Sequence, residues 1–197
     1  MQRIGGGRLR GRVLKELPSG VAGLRPTGAR VRGAIFDHLQ QHVHDARVLD
    51  LFGGSGALGF ESLSRGARHL TLLDCDARVV SHLGAQARAL GIDAQCTIER
   101  ADAVRYLRDR PAAQEPFDLV FVDPPFATPE VFDPVVLLLA EGGWLAHNAA
   151  VMCESERVRG TRLSIAWPSG LSPSFSRAYG QAHVDIARAT NEASHRE

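Results

Sequence analysis

The chain is predicted to be an α/β protein with a doubly wound, mostly parallel sheet of the Rossmann-like type, and three observations predict it. Short apolar runs alternate with amphipathic segments over most of the 197 residues, which is typical of strands linked by helices. The first of these runs leads into a glycine-rich turn at residues 53–56. A later run ends in Asp123-Pro124-Pro125. Ligands bind at the carboxyl edge of such sheets, so both turns fall where a site is expected.

The elements are assigned in chain order from their periodicity and from the residues that end them. Glycine-spaced residues 3–14 predict a hairpin, and residues 27–39 predict a helix with Val31, Ile35 and Leu39 on one face. Seven strands are predicted, at 47–52, 69–74, 95–99, 118–123, 149–154, 162–167 and 180–186. Helices are predicted at 57–65, 77–90 and 103–108, and another begins with Thr128 as its N-cap and ends near 142–143. Crossover rules place the first and fourth strands side by side.

The chain is expected to form one main domain with a small extension. Residues 1–40 form the extension, a basic hairpin and helix packed on the domain 41–188, and 189–197 form a polar tail. With 44% hydrophobic and 23% charged residues the composition is that of a globular protein. Neither a membrane span nor a signal peptide is expected, because no apolar run is long enough. Three scattered cysteines favour reduced thiols and a cytoplasmic protein. The protein is separately expected to be a monomer.

Asp123-Pro124-Pro125-Phe126 follows the run 119–122 and is the candidate catalytic segment. The Asp123 carboxylate and the Pro124 carbonyl can only accept hydrogen bonds, so together they suit an exocyclic NH2, while Phe126 offers a face on which a base can stack. Hydrogen bonds drawn from the NH2 group would aim the nitrogen lone pair at an electrophile. The alternative is a stiff strand exit with Phe126 packed in the core.

The glycine-rich turn predicts a nucleoside cofactor. Gly54-x-Gly56-x-x-Gly59 opens a helix whose free N–H groups point at a ligand, and Asp74 ends the next strand, where a carboxylate can bind ribose hydroxyls. The fingerprint alone fits both NAD and S-adenosylmethionine. Asp50 favours S-adenosylmethionine, because its charge would repel a pyrophosphate but suits an ammonium group. The expected cofactor-binding residues are Asp50, Phe52, Gly54, Ser55, Gly56, Asp74, Cys75, Asp102 and Ala103. Phe52 could also simply pack, and Asp102 could also be only a helix N-cap.

The first 32 residues carry an excess of positive charge. Eight basic residues stand against Glu16 alone, which gives +7 in a chain whose net charge is +1. Such clustering suits a phosphate backbone, although a solvated surface with a preference for arginine is the alternative. The expected RNA contacts are Arg3, Arg8, Arg10, Arg12, Arg25, Thr27 and Arg30. No metal site is expected, because the spaced pair His38 and His42 lacks the glutamate of a zinc protease motif.

Segments 50–59 and 123–126 together resemble the class I methyltransferases that modify exocyclic amino groups. Three further segments resemble one branch, the bacterial 16S ribosomal RNA guanine-N2 methyltransferases of the RsmD type. They are residues 3–12, residues 24–27 with 30–32, and Glu154-Ser155-Glu156. The resemblance implies S-adenosyl-L-methionine as cofactor, a guanine in 16S rRNA or the assembling small ribosomal subunit as target, and a final antiparallel hairpin. It also implies that Asp102 accepts from the adenine amino group.

Two other functions compete with this interpretation. An NAD(P)-dependent Rossmann oxidoreductase would use the same glycine turn but leaves Asp123-Pro124-Pro125-Phe126 unexplained. A catalytically inactive RNA-binding module would retain only the basic extension, and the presence of Asp50, Asp74 and Asp123 argues against it. The cofactor crevice is expected to be built entirely from the segment that follows the extension, so that changes in the basic arm leave cofactor affinity unchanged.

Overall fold

The computed structural model describes residues 2–18, 20–21, 28–110, 115–125, 128–157 and 163–190. The strands are β1 (Gln2–Arg3), β2 (Val13–Leu14), β3 (Arg47–Asp50), β4 (His69–Asp74), β5 (Cys96–Arg100), β6 (Phe117–Val122), β7 (Leu145–Glu156), β8 (Leu171–Tyr179) and β9 (Ala182–Ala189). The α-helices are α1 (Ala29–His38), α2 (Gln40–Val43), α3 (Ala57–Ser64), α4 (Ala77–Leu90), α5 (Ala103–Asp109) and α6 (Phe132–Glu141). Three predicted site residues lie outside the described residues, namely Arg25, Thr27 and Phe126.

The main sheet has seven strands in the order β5-β4-β3-β6-β7-β9-β8. The five strands from β5 to β7 are parallel, whereas β9 pairs antiparallel with β7 and β8 antiparallel with β9. The predicted doubly wound, mostly parallel sheet is confirmed, and so is the final antiparallel hairpin. The strand order reverses between β3 and β6, so this junction is the topological switch point that the sequence predicts.

Helices cover both faces of this sheet, because its central strands are apolar on both sides. One face packs against α1 to α4, with Phe36, Phe60 and Leu83 fully buried in the interface. The other face packs against α5 and α6 through Leu107 and Leu139. The two layers fix the carboxyl ends of β3, β4 and β6 along one edge, where Asp50 is in register with Leu72 and Phe121.

The prediction of a strand at 162–167 is wrong. The described part of it, Leu163–Trp167, forms no strand, and the edge strand is β8, Leu171–Tyr179. β8 is mostly exposed and includes Pro173, so it lacks the apolar run that would reveal it. A proline is tolerated there because an edge strand has only one hydrogen-bonded neighbour.

The helix start predicted at Thr128 is also corrected. Pro129–Val131 form a 3-10 turn, and α6 begins only at Phe132. The Thr128 hydroxyl does not cap the turn but donates to the Pro125 carbonyl at 3.0 Å. The backbone N–H of Thr128 donates to the same oxygen at 3.0 Å, so two hydrogen bonds join Thr128 to Pro125.

The predicted N-terminal hairpin is confirmed by the antiparallel pairing of β1 with β2. Its glycine-rich turn packs against the carboxyl end of α3. The N–H of Arg8 donates to the Ser64 carbonyl at 2.7 Å, and the Ser64 hydroxyl donates to the Gly6 carbonyl at 2.6 Å. Gly7 has a φ of 74°, and a Cβ there would lie 1.9 Å from the Ser64 oxygen, so only glycine fits.

A buried ion pair on α3 anchors both this hairpin and helix α1 to helix α3. Glu61 is 1% exposed and accepts from the Nε of Arg32 at 2.7 Å and from the Nη2 of Arg65 at 2.8 Å. It also accepts from the N–H of Gly5 at 3.0 Å, while Arg32 donates to the Arg3 carbonyl at 2.5 Å. Arg32, one of the eight basic residues counted at the N-terminus, is therefore 2% exposed and structural, and does not contribute to a surface patch.

No helix within the described ranges is long and apolar enough to cross a membrane. Cys75, Cys96 and Cys153 carry free thiols, and Cys153 is buried.

Candidate active site at the switch point

A cavity of about 290 Å³ opens at the carboxyl edge of β3, β4 and β5. Six of the predicted site residues line it, namely Phe52, Asp74, Cys75, Asp102, Ala103 and Pro125. They come from loops that follow four different strands, so the sheet brings together residues up to 73 positions apart, from Phe52 to Pro125. This is the position in which an open α/β sheet binds its ligand.

The glycine turn between β3 and α3 runs alongside this cavity and is tightly folded. The N–H of Gly53 donates to the Leu73 carbonyl at 2.6 Å, and the N–H of Gly56 donates back to the Gly53 carbonyl at 2.7 Å. Gly56 is the N-cap residue of α3, with φ 76° and no side chain of its own to cap the helix, and the backbone of Gly59 in the first turn is hydrogen-bonded to the Asp50 carboxylate. A Cβ on Gly56 would lie 2.3 Å from the Phe60 ring, which explains the glycine.

Asp74 holds the turn in place from the end of β4. One carboxylate oxygen accepts from the N–H of Gly54 at 3.1 Å, and the other accepts from the N–H of Asp76 at 2.9 Å. Burial raises the pKa of Asp74, and the two backbone donors oppose that shift. The carboxylate therefore lines the cavity and fixes the neighbouring loop at the same time.

Asp50, the last residue of β3, is buried at 2% exposure beneath the turn. Burial and, to a lesser extent, nearby Asp123 raise its pKa to about 7, although hydrogen bonds from the backbone of Phe52 and Gly59 oppose the shift. Its folded-state pKa lies above the unfolded value of 3.8, so the native state keeps a proton that the unfolded state releases. Asp50 therefore destabilises the fold progressively as the pH rises from about 4 to about 7. A cation bound beside the Asp50 carboxylate would stabilise its ionised form and offset this loss of stability.

Asp123 follows β6, directly beside the end of β3 in the sheet. The pKa of the Asp50 carboxyl is sensitive to it, which places the two carboxyl groups within electrostatic range of each other. Pro124 is buried and Pro125 lines the cavity, so the segment is held rigidly at its edge. Five predicted site residues are not among those that line the cavity, namely Asp50, Gly54, Ser55, Gly56 and Asp123.

Asp102 has the capping role that the sequence left open. Its carboxylate accepts from the N–H of Arg105 at 2.9 Å, so it is the N-cap of α5. It also lines the cavity and is exposed, together with Cys75, whose carbonyl accepts from Arg100 at 3.1 Å. A carboxylate has two oxygens, so the N-cap role is compatible with a second hydrogen bond to a ligand in the cavity.

The basic residues of the hairpin lie on another part of the surface. Arg12 donates to the Ala89 carbonyl at 3.1 Å, near the carboxyl end of α4, and Arg8 donates to the Gln95 side chain. Arg78, at the start of the same helix, lines the cavity. At ~1.5 Å per residue along α4 this separates Arg12 from the cavity by ~16 Å. Arg3, Arg10 and Arg30 are exposed, and Arg3 donates to the Gly11 carbonyl at 2.9 Å.

The cavity has one wall that the sequence did not predict. Gly20 and Val21, from the N-terminal extension, line it together with Asp76 and Arg78. The expectation that the crevice is built only from the later segment is therefore wrong. Asp76 could have been found, because it follows Asp74 by two residues and caps α4, but nothing in the local sequence marks Gly20 and Val21.

The chain is similar to known proteins over most of its length. Residues 2–188 match the family model described as conserved hypothetical protein 95. The chain is 39% identical over 160 residues to the ribosomal RNA small subunit methyltransferase D of Haemophilus influenzae, covering 79% of each. It is 40% identical over 154 residues to the protein of the same name from Escherichia coli K12, covering 78% of this chain and 74% of that one. It also superimposes on the solved structure of Escherichia coli yhhF with TM-score 0.80 and 35% identity, covering 95% and 97% of the two chains. The chain belongs to the RsmD family and has its class I methyltransferase fold.

Proposed function

We propose that this protein is an S-adenosyl-L-methionine-dependent methyltransferase that modifies the exocyclic N2 amino group of a guanine in small-subunit ribosomal RNA. The observation that carries the proposal is that Asp123 and the Asp74 cavity share one sheet edge, on both sides of the switch point. The names of the relatives, ribosomal RNA small subunit methyltransferase D, support an rRNA target. An oxidoreductase would leave the rigid acceptor segment at Asp123 without a role.

The cavity residues suit each part of the cofactor. Asp74 would accept from the ribose hydroxyls, and the second carboxylate oxygen of Asp102 would accept from the adenine amino group. Phe52 and Ala103 line the cavity and would provide apolar contacts for the adenine ring. Asp50 would face the ammonium group of the methionine moiety, which compensates a buried carboxylate that otherwise destabilises the fold. When bound, the cofactor supplies a methyl group that is attached to a sulfonium sulfur. Without that methyl group, the leaving group is a neutral thioether.

The protein contributes orientation. The Asp123 carboxylate and the Pro124 carbonyl accept hydrogen bonds from the target NH2 and direct its lone pair at the methyl carbon. Methylation of the oriented nitrogen would replace one N–H bond by an N–C bond and release one proton to solvent. Phe126 would stack on the base. The exposed arginines Arg3, Arg8, Arg10, Arg12 and Arg30, with Arg25 and Thr27, would contact the RNA backbone outside the cavity.

Calorimetric titration of S-adenosylmethionine and NAD into wild-type protein and Asp74→Ala tests the cofactor assignment. We expect the wild type to bind S-adenosylmethionine and not NAD. Asp74→Ala should weaken that binding by about 1.5 to 3 kcal/mol, the range for hydrogen bonds to a charged group. The Gly54 contact makes the upper end of this range the expected one, because the loop loses its anchor as well. Binding of NAD by the wild type, or equal affinity of both proteins for S-adenosylmethionine, would contradict the assignment.

The RNA assignment is tested by replacing Arg3, Arg8, Arg10 and Arg12 with glutamine. RNA affinity should fall, and its logarithmic salt dependence should flatten by up to about 0.7 to 0.9 for each phosphate that the hairpin no longer binds. Measurements across a salt series with a 16S rRNA fragment decide this, and S-adenosylmethionine affinity serves as the internal control. Parallel salt slopes for the two proteins would show that the hairpin touches no phosphate.

A further inference from the structure

Gln86 is a buried polar residue in the middle of α4, among apolar neighbours. It is 2% exposed and shares its helix face with Val79, Leu83 and Leu90, all of them in the core. A side-chain amide in such a place destabilises the fold unless both of its ends are hydrogen-bonded. Both ends of Gln86 are bonded, and both partners are backbone groups of other segments.

The two partners belong to different segments of the chain, the N-terminal extension and the glycine turn. The Gln86 side-chain oxygen accepts from the N–H of Lys15 at 2.8 Å, and the side-chain nitrogen donates to the Ser55 carbonyl at 3.4 Å. The Lys15 carbonyl contacts His82 at 3.3 Å, and farther along the extension the Gly20 carbonyl accepts from Arg78 at 3.3 Å. Helix α4 therefore contacts the extension at both of these points, from Lys15 to Gly20 in the cavity wall.

The Ser55 contact fixes one peptide plane of the glycine turn at both ends. The Ser55 carbonyl and the Gly56 N–H belong to the same planar peptide group. Gln86 holds the carbonyl, and the Gly53 carbonyl accepts from the N–H at 2.7 Å. Leu83, one turn before Gln86, supports the turn by contact, because a Cβ on Gly53 or Gly56 would lie 2.9 Å from its methyl groups. Asp74 fixes the Gly53–Gly54 peptide plane of the same turn through the N–H of Gly54.

We propose that Gln86 is a positioning residue, which sets the conformation of the glycine turn and links it to the N-terminal wall of the cavity. This inference rests on the proposed function for the identity of the ligand, but the link between the two segments is independent of it. Removing the amide should leave the turn free to rotate at the Ser55–Gly56 peptide. The turn would then present its amide groups to the cofactor in several conformations, and affinity would fall although every group that touches the cofactor is still present.

The test uses Gln86→Met, Gln86→Glu and the control Gln95→Met. Gln95 also accepts a hydrogen bond from the extension, from the Arg8 side chain, whereas the hydrogen bond to Ser55 of the glycine turn comes from Gln86. In Gln86→Met we expect amide hydrogen exchange of Gly56 in the ligand-free protein to accelerate about tenfold, and S-adenosylmethionine affinity to fall about fivefold to tenfold. The turnover rate at saturating cofactor should change much less than the KM for the cofactor. Gln95→Met should leave Gly56 exchange, S-adenosylmethionine affinity, the turnover rate and the KM as in the wild type.

Gln86→Glu separates the two contacts. A glutamate can still accept from Lys15 but, when ionised, cannot donate to Ser55. Lys15 amide exchange should therefore stay slow in Gln86→Glu while Gly56 exchange accelerates, whereas both accelerate in Gln86→Met. Unchanged Gly56 exchange in folded Gln86→Met would overturn the inference whatever the ligand is. If Gly56 exchange accelerates in Gln86→Met but the wild type fails to bind S-adenosylmethionine, the proposed function is overturned and the positioning role stands.

Discussion

Asp123→Ala is expected to slow methyl transfer by ~10²-fold or more while leaving S-adenosylmethionine affinity nearly intact. Asp123 is not among the residues that line the cavity, so its loss should affect the orientation of the amine and not the binding of the cofactor. Single-turnover rates with a small-subunit RNA substrate, together with calorimetric titration of the cofactor, measure the two effects separately. The pKa of Asp50 should also fall, because Asp123 is one of the groups that raise it.

A matched control for Asp123 exists at the other end of β6, the strand that Asp123 follows. Asp118 accepts from the N–H of Arg47 at 2.8 Å, far from the carboxyl edge of β6. Asp118→Asn keeps the shape of the side chain and should leave both the rate and the cofactor affinity unchanged. If Asp123→Ala lowered cofactor affinity and rate by equal factors, Asp123 would be a cofactor ligand, and its assignment to the target amine would be wrong.

Glu61→Ala is expected to lower the free energy of unfolding by about 3 to 5 kcal/mol, the cost of breaking a buried ion pair by removing one partner. Arg32 would remain buried at 2% exposure without the carboxylate that it contacts at 2.7 Å. The hairpin would also lose its hydrogen bond from Gly5 to Glu61. Urea unfolding followed by circular dichroism gives the free energy, and limited proteolysis in the hairpin reports its release from α3.

The control for Glu61 is Glu115→Ala. Glu115 also pairs with an arginine, Arg47, but its side chain is 63% exposed. An exposed pair contributes at most about 1 kcal/mol, so this variant should unfold close to the wild type. A decrease below about 1 kcal/mol in Glu61→Ala as well would mean that Arg32 finds another partner, and the hairpin would not depend on the buried pair.

Local sequence determined the order of the elements and the two motifs at the carboxyl edge. The predicted strand at 69–74 and helix at 77–90 match β4 and α4 residue for residue, because apolar periodicity and the residues Asp76 and Gly91 act over a few positions. The glycine turn and the Asp-Pro-Pro segment were equally visible, since their backbone requirements are met by particular residue types. Right-handed crossovers then sufficed to place both motifs at one switch point.

Tertiary structure alone decided the contacts between distant segments. Gln86 and Lys15 are 71 positions apart, and Glu61 and Arg32 are 29 positions apart, so no window of sequence contains either pair. The sequence does not reveal β8, because an exposed edge strand needs little apolar surface. It also does not distinguish Arg32 from the surface arginines, because only the fold shows that a buried carboxylate pairs with its side chain. Gly20 and Val21 line the cavity only because α4 holds the extension along its length, a pairing set by packing and not by local propensity.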